Sequence, residues 1–137
     1  MVNPPKKGDE SFDLFEQEKK EILSSLKRRG GKLCKALNSL DHMSCNMSNG
    51  SMYAFPRIIL PKKAVDESKK NGFNAPDEFY CMELLKNTGI CVVPGSGFNQ
   101  KDGTHHLRTT FLPQEDVIDG VIEMFTKFHK SFIAKYL

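Results

Sequence analysis

Apolar residues recur at helical spacing through "SFDLFEQEKKEILSSLKRRGGKLCKALNSL". Phe12, Phe15, Ile22, Leu23 and Leu26 form a stripe that resumes at Leu33, Leu37 and Leu40, the period of an amphipathic helix. Ser11 stands before it as a candidate N-cap. Gly30-Gly31 interrupts the stripe and costs about 2 kcal/mol of helix propensity. The pattern therefore predicts one long helix with a bend, or two helices meeting there. "SMYAFPRIIL" is β-branched and aromatic and reads as a strand, with Pro56 placing it near an edge or at a bulge. Pro61 opens a short helix running roughly to Lys70, closed by Asn71-Gly72. Pro76, Asp77 and Glu78 fit the first turn of another. Its apolar face is Cys81, Leu84 and Leu85, and Gly89 ends it. "GICVVPGSGF" reads as a buried strand delivering a Gly-Ser-Gly turn, and "THHLRTTFL" as the next strand. A final helix starts at Pro113, with Val117, Ile118, Val121, Ile122, Phe125, Phe128 and Phe132 as its core face.

This order of elements predicts an α/β two-layer sandwich: a small mixed or antiparallel sheet covered by helices. Composition changes little. The 137 residues suit one domain with a real core. The net charge of +3 is spread along the chain, which argues against a nucleic-acid partner, since that needs a clustered basic face. No apolar run approaches ~20 residues, so no membrane span is expected. The polar, proline-rich opening lacks the apolar core of a signal peptide. Cys34, Cys45, Cys81 and Cys91 form no close Cys-x-x-Cys pair. Free thiols in a reducing compartment follow, hence a cytoplasmic or organellar-matrix setting.

The leading chemical candidate is Arg108. On an alternating strand it shares a face with Thr104, His106, Thr110 and Leu112, while His105, Leu107, Thr109 and Phe111 share the other. A guanidinium fork there matches a carboxylate with two parallel hydrogen bonds. Alternation alone favours the plainer alternative, a structural ion pair or a charge facing water. The adjacent His105 and His106 point apart on a strand, and His42 and Cys45 lack further partners, so no metal site is expected. "PGSGF" lacks the phosphate-loop form and precedes a strand, which leaves it a turn. Lys69 and Lys70 read as solvated surface, not as catalytic amines.

Four segments carry a resemblance: "SCNMSNGSMYAFPRI", "FYCMELLKNTGICVVPGSGF", "GTHHLRTTFLP" and "FTKFHKSF". Together with the opening "VNPPKKGDESFDLFEQEKKEIL", they resemble the C-terminal part of the alanine aminotransferases, class I/II, fold-type I enzymes that use pyridoxal 5'-phosphate. The resemblance covers nearly the whole chain. It implies an extended connector over 1–10, an interdomain helix over 11–41 and the small C-terminal domain over 42–137. It implies too that the large cofactor-binding domain is not part of this chain. It further implies that Arg108, in a G-T-x-H-x-R pattern with Gly103, Thr104 and His106, grips the substrate α-carboxylate. Gly50, Ser51, Met52 and Tyr53 match a segment that approaches the active site in relatives; a strand start with a core tyrosine is the alternative. Gly95, Ser96 and Gly97 match a loop ahead of the arginine strand, with a role of shape. His105 stands where the family often has an aromatic residue.

The full-length reaction the resemblance implies is L-alanine plus 2-oxoglutarate to pyruvate plus L-glutamate, in a homodimer. The family's Schiff-base lysine lies in an S-x-S-K-like segment, and no such segment occurs here. No catalytic or cofactor-binding residue is therefore expected in the chain, which alone should neither hold pyridoxal phosphate firmly nor transaminate, and its Arg108 should be open or solvent-paired. Two alternatives stand beside this: the small domain of another class I/II amino-acid transaminase, and a non-catalytic interaction module that keeps the fold.

Overall fold

A computed structural model describes residues 3–137. Met1 and Val2, the first residues of the expected connector, lie outside the described residues. Phe12–Asn38 form a single helix, α1, that continues through Gly30-Gly31, so of the two expected arrangements the single long helix is the one formed. Packing outweighs propensity here. An ideal Cβ built on Gly30 would lie 3.3 Å from Cε2 and Cζ of the Phe111 ring, so the glycine lets helix and ring come together. Ser11 holds the N-cap position, but its backbone is already helical and its side chain makes no capping bond. Toward its N-terminus α1 leaves Leu14, Ile22 and Leu23 exposed. The part of the stripe that meets the core is Leu33, Cys34 and Leu37.

The sheet is antiparallel throughout and consists of β1 (Met43–Ser44), β2 (Tyr53–Ala54), β3 (Arg57–Ile58), β4 (Val93–Pro94) and β5 (His105–Thr110). β5 is central. β2 and β3 pair along one side of it, β4 along the other, and β1 lies outside β3. β1 was not among the expected strands. β2 and β3 keep one register on β5, with Tyr53 opposite Thr110 and Arg57 opposite His106. They are one strand, and its hydrogen bonding lapses at Pro56, which has no N–H. The Pro56 carbonyl still accepts the Leu107 N–H at 3.1 Å. Of the two expectations for Pro56, an edge or a bulge, the bulge is absent, whereas β2 just before it has no strand on its outer side among the described residues; Pro56 itself is fully buried. "GICVVPGSGF" also differs from its expectation. Only Val93–Pro94 is strand, on the sheet's edge; Val92 turns inward and Val93 is exposed.

The helices α2 (Lys62–Lys70), α3 (Pro76–Thr88) and α4 (Glu115–Tyr136) join α1 on one face of this sheet. Ala54, Ile58, Leu107 and Phe111 meet them from the strands, as the period-two alternation requires. α3 stops at Gly89, whose φ of 75° is left-handed. Its buried set is Asp77, Phe79, Tyr80, Cys81 and Leu84. Leu85, expected inside, is exposed because the helix turns its aromatic side to α4, with Tyr80 and Phe132 ring centroids 4.9 Å apart. Val117 is likewise exposed, in the first turn of α4, ahead of the buried Ile118. Within this core His129 is fully satisfied: one ring nitrogen faces the Tyr80 hydroxyl at 2.9 Å, and the other donates to the Asp41 carbonyl at 2.7 Å.

Candidate functional site

With helices on one face only, the other face of the sheet is open. Alternation places Tyr53, Phe55 and Arg57 there from β2–β3, Val93 from β4, and His106, Arg108 and Thr110 from β5. Tyr53, Phe55 and Val93 are each about two-fifths exposed, at 43%, 42% and 38%. Three apolar side chains clustered on one sheet face, joined by Phe98, make a patch rather than scattered exposure.

Arg108 stands in the middle of this patch. Its guanidinium carbon lies over the Tyr53 ring at 4.7 Å and over the Phe98 ring at 4.5 Å. Each such contact contributes about 0.5–1 kcal/mol where partly solvated. It forms no ion pair or hydrogen bond to another described side chain. The rings steady the flat cation, and none of its N–H groups is committed to a carboxylate. An arginine steadied this way, with its donors in hand, suits a planar anion.

Phe98 comes from a short 3-10 turn, Gly95–Phe98, between β4 and β5. Gly95 is buried, and a Cβ there would fall 2.7 Å from the His106 Cβ and onto the Gln100 Oε1, so no side chain fits. The turn is tied down by Asp77, wholly buried in the first turn of α3. Its Oδ2 accepts the Ser96 N–H at 2.7 Å and the Gln100 Nε2–H at 2.9 Å. Gln100 Oε1 then faces His106 Nδ1 at 2.9 Å. The His106 ring stacks on Phe55, with centroids 4.9 Å apart and 6° between planes, and Phe55 meets Phe98 edge-on at 6.0 Å. Burial, then the Arg57 charge, hold the His106 pKa below its ordinary value. The ring is therefore neutral near pH 7, and Gln100 sets Nδ1 as its protonated nitrogen.

Of the residues singled out in the sequence, Arg108 and Tyr53 are brought together. Gly50 and Ser51 are not beside the rings. They border an open cleft of about 530 Å³ between α1 and the turn before β2, with Leu23, Leu26, Gly30 and Phe111 among its walls. Ser51 acts locally, its Oγ accepting the Tyr53 N–H at 3.0 Å. His105 is half-buried on the helix-facing side, opposite Ile58. Phe55, Phe98, Asp77 and Gln100 were not anticipated. Alternation through Tyr53–Ile58 contained the signal for Phe55, whereas nothing local distinguishes Asp77 from an ordinary helix-start acid. All lysines among the described residues are exposed. None of them is buried, so the described residues offer no sheltered amine for a pyridoxal aldehyde.

Comparison with known proteins gives this geometry its context. No family model matches the chain. It is 55% identical over 136 residues to a protein of Dictyostelium discoideum described as "Probable alanine aminotransferase, mitochondrial", covering 99% of the chain and 25% of that protein. It is 48% identical over 136 residues to "Glutamate--glyoxylate aminotransferase 2" of Arabidopsis thaliana, again over 99% of the chain and 28% of the relative. Among solved structures, the alanine aminotransferase of Pyrococcus furiosus superposes with a TM-score of 0.66 at 30% identity, over 82% of this chain and 25% of that one. Helices on one face of a curled antiparallel sheet are the C-terminal domain of the fold-type I aminotransferases, and the chain belongs to that family. Within it the chain corresponds to the C-terminal portion of the alanine aminotransferases, and it spans about a quarter of the length of the curated relatives it matches.

Proposed function

We propose that the chain supplies the substrate-carboxylate clamp of a pyridoxal phosphate-dependent aminotransferase, with Arg108 as the clamp. The observation that carries this is the uncommitted Arg108 guanidinium, steadied by Tyr53 and Phe98 on the open face of the sheet. Amino donor and acceptor in such a reaction share an α-carboxylate. A fork presenting two parallel charge-assisted hydrogen bonds, each about 1.5–3 kcal/mol, fixes its orientation. That orientation aims the Cα–H bond, a positioning contribution. Tyr53, Phe55 and Phe98 surround the fork with apolar surface, and covering them excludes water and strengthens the ion pair. Pyridoxal phosphate supplies the electron sink for amino transfer. It would be held by residues outside this chain.

The substrate pair is L-alanine and 2-oxoglutarate, giving pyruvate and L-glutamate, in a homodimer of cytoplasmic or mitochondrial location. What supports this pair is the likeness to alanine aminotransferases. The similar likeness to a glutamate–glyoxylate aminotransferase favours a second reading, with glyoxylate as acceptor. The test is Arg108→Leu and Arg108→Lys in an aminotransferase carrying this chain. Losing both bonds should lower kcat/KM for alanine by about 10²–10⁴-fold. Lysine keeps the charge without the fork and should recover only part of this. Near wild-type kcat/KM in Arg108→Leu would refute the assignment, and with L-glutamate as donor, in the reverse direction, the activity ratio for pyruvate and glyoxylate as acceptors separates the two readings.

A further inference from the structure

Asp77 is a buried carboxylate that caps nothing. It stands in the first turn of α3, where an acid ordinarily serves its own helix, yet that helix has no side-chain cap. Its Oδ1 finds no partner among the described residues, and both hydrogen bonds of the group run through Oδ2 to another segment, the turn between β4 and β5. One bond fixes the turn's backbone at Ser96. The other fixes Gln100 nitrogen-inward, so that its oxygen faces His106. Between these two anchored points lie only Gly97, Phe98 and Asn99, and Asn99 is held in a left-handed conformation, φ 53°. Phe98 itself is 40% exposed and rests against Arg108 and Phe55.

We propose that Asp77 is the positioning residue of the Arg108 clamp: through Ser96 and Gln100 it sets the turn that presses Phe98 onto the guanidinium. This rests on the reading of Arg108 as the carboxylate clamp for its functional meaning, though not for its geometry. The bonds are charge-assisted and the carboxylate is dry, which makes them stiff. Without them the Gly95–Phe98 turn keeps only its strand ends. Phe98 then leaves the guanidinium, and the fork samples orientations that do not match a bound carboxylate.

The test uses nuclear magnetic resonance on the chain and kinetics on an aminotransferase carrying it. The Arg108 side-chain protons feel ring currents from both Tyr53 and Phe98, and Phe98→Leu calibrates how much is due to Phe98. In Asp77→Ala the Arg108 resonances should move to the Phe98→Leu positions. Wild-type positions in a folded Asp77→Ala chain overturn the proposal. Should that variant not fold, Gln100→Ala, which leaves α3 untouched, must shift the same resonances in the same direction, and failure to do so overturns it equally. In the enzyme, Asp77→Ala should raise KM for alanine about tenfold with a smaller change in kcat. Adding Phe98→Leu should cause no further loss, because the two act in series; independent, additive losses overturn the proposal. Full activity in Arg108→Leu would sink the clamp reading alone, while the resonance result on Asp77 would stand.

Discussion

Gly30 and Gly31 are adjacent in α1, carry the same helix-propensity cost, and differ only in what lies beyond their Cα atoms. Replacing either by alanine removes backbone freedom from the unfolded chain and gains about 0.8–1.0 kcal/mol of helix propensity. At Gly31 the new methyl would have the Met47 Cε at 3.8 Å as its nearest neighbour, ordinary contact with a flexible side-chain end. Gly31→Ala should therefore gain nearly the whole amount, about 1 kcal/mol, or a rise in Tm of about 3–5 °C for a domain of this size. At Gly30 the methyl would meet two Phe111 ring atoms at 3.3 Å. Phe111 is 3% exposed and directly follows the central strand, so the ring gives way only by disturbing the core. Overpacking of this kind costs about 1–3 kcal/mol, which cancels or reverses the propensity gain. The expected gap between the two variants is about 1–3 kcal/mol in urea or thermal unfolding of the chain. Equal stabilisation by both would refute the reasoning, since it would mean that α1 does not lie against Phe111.

Further outcomes follow from the core and the thiols. Burial holds the His129 pKa below its ordinary 6.5, with the Asp41 carbonyl opposing and the His42 charge assisting. Below pH 6.5 the unfolded chain binds this proton first, so stability present above that pH should fall as pH drops toward the folded pKa. The slope should be at most about 1.4 kcal/mol per pH unit for this residue, and a flat urea midpoint between pH 7.5 and 5.5 would contradict it. Tyr80→Phe removes the hydroxyl facing His129 Nδ1 and should cost about 1–3 kcal/mol by leaving a buried ring nitrogen alone. Burial pushes the Cys45 and Cys81 thiols up to about 12, whereas Cys91 is exposed. A thiol reagent at pH 8 should modify Cys91 rapidly and these two only on unfolding; early labelling of Cys81 would be the contrary result.

Much of the fold was legible because it follows local period. The helical stripes of α1 and α4, the proline starts of α2 and α3, the Gly89 stop and the two faces of β5 each depend on residues a few positions apart. The misreadings share a cause. The two-helix alternative at Gly30-Gly31 and the burial of Leu85 were judged by what neighbours in sequence permit, and each was decided by something distant: the Phe111 ring and the aromatic side of α4. The candidate site divides in the same way. Arg108 and Tyr53 stood out through pattern and family likeness, while Asp77 and Gln100 did not, because their bonds span 19 and 23 residues.

The sequence by itself determined the four helices, the strands around Pro56 and at Arg108, which face of the latter is polar, and that Arg108 lies on it. Periodicity and turn chemistry are short-range, and a strand's side chains alternate whatever packs on it. Only the tertiary structure decided that Arg108 would be left without a carboxylate among the described residues and what would steady it. Arg108 is steadied by Tyr53 from one neighbouring strand and Phe98 from a turn across the sheet. That turn is anchored by a buried acid on a helix behind it. Contacts of that kind exist only once loop closure has brought the segments together, so no window of the chain contains them.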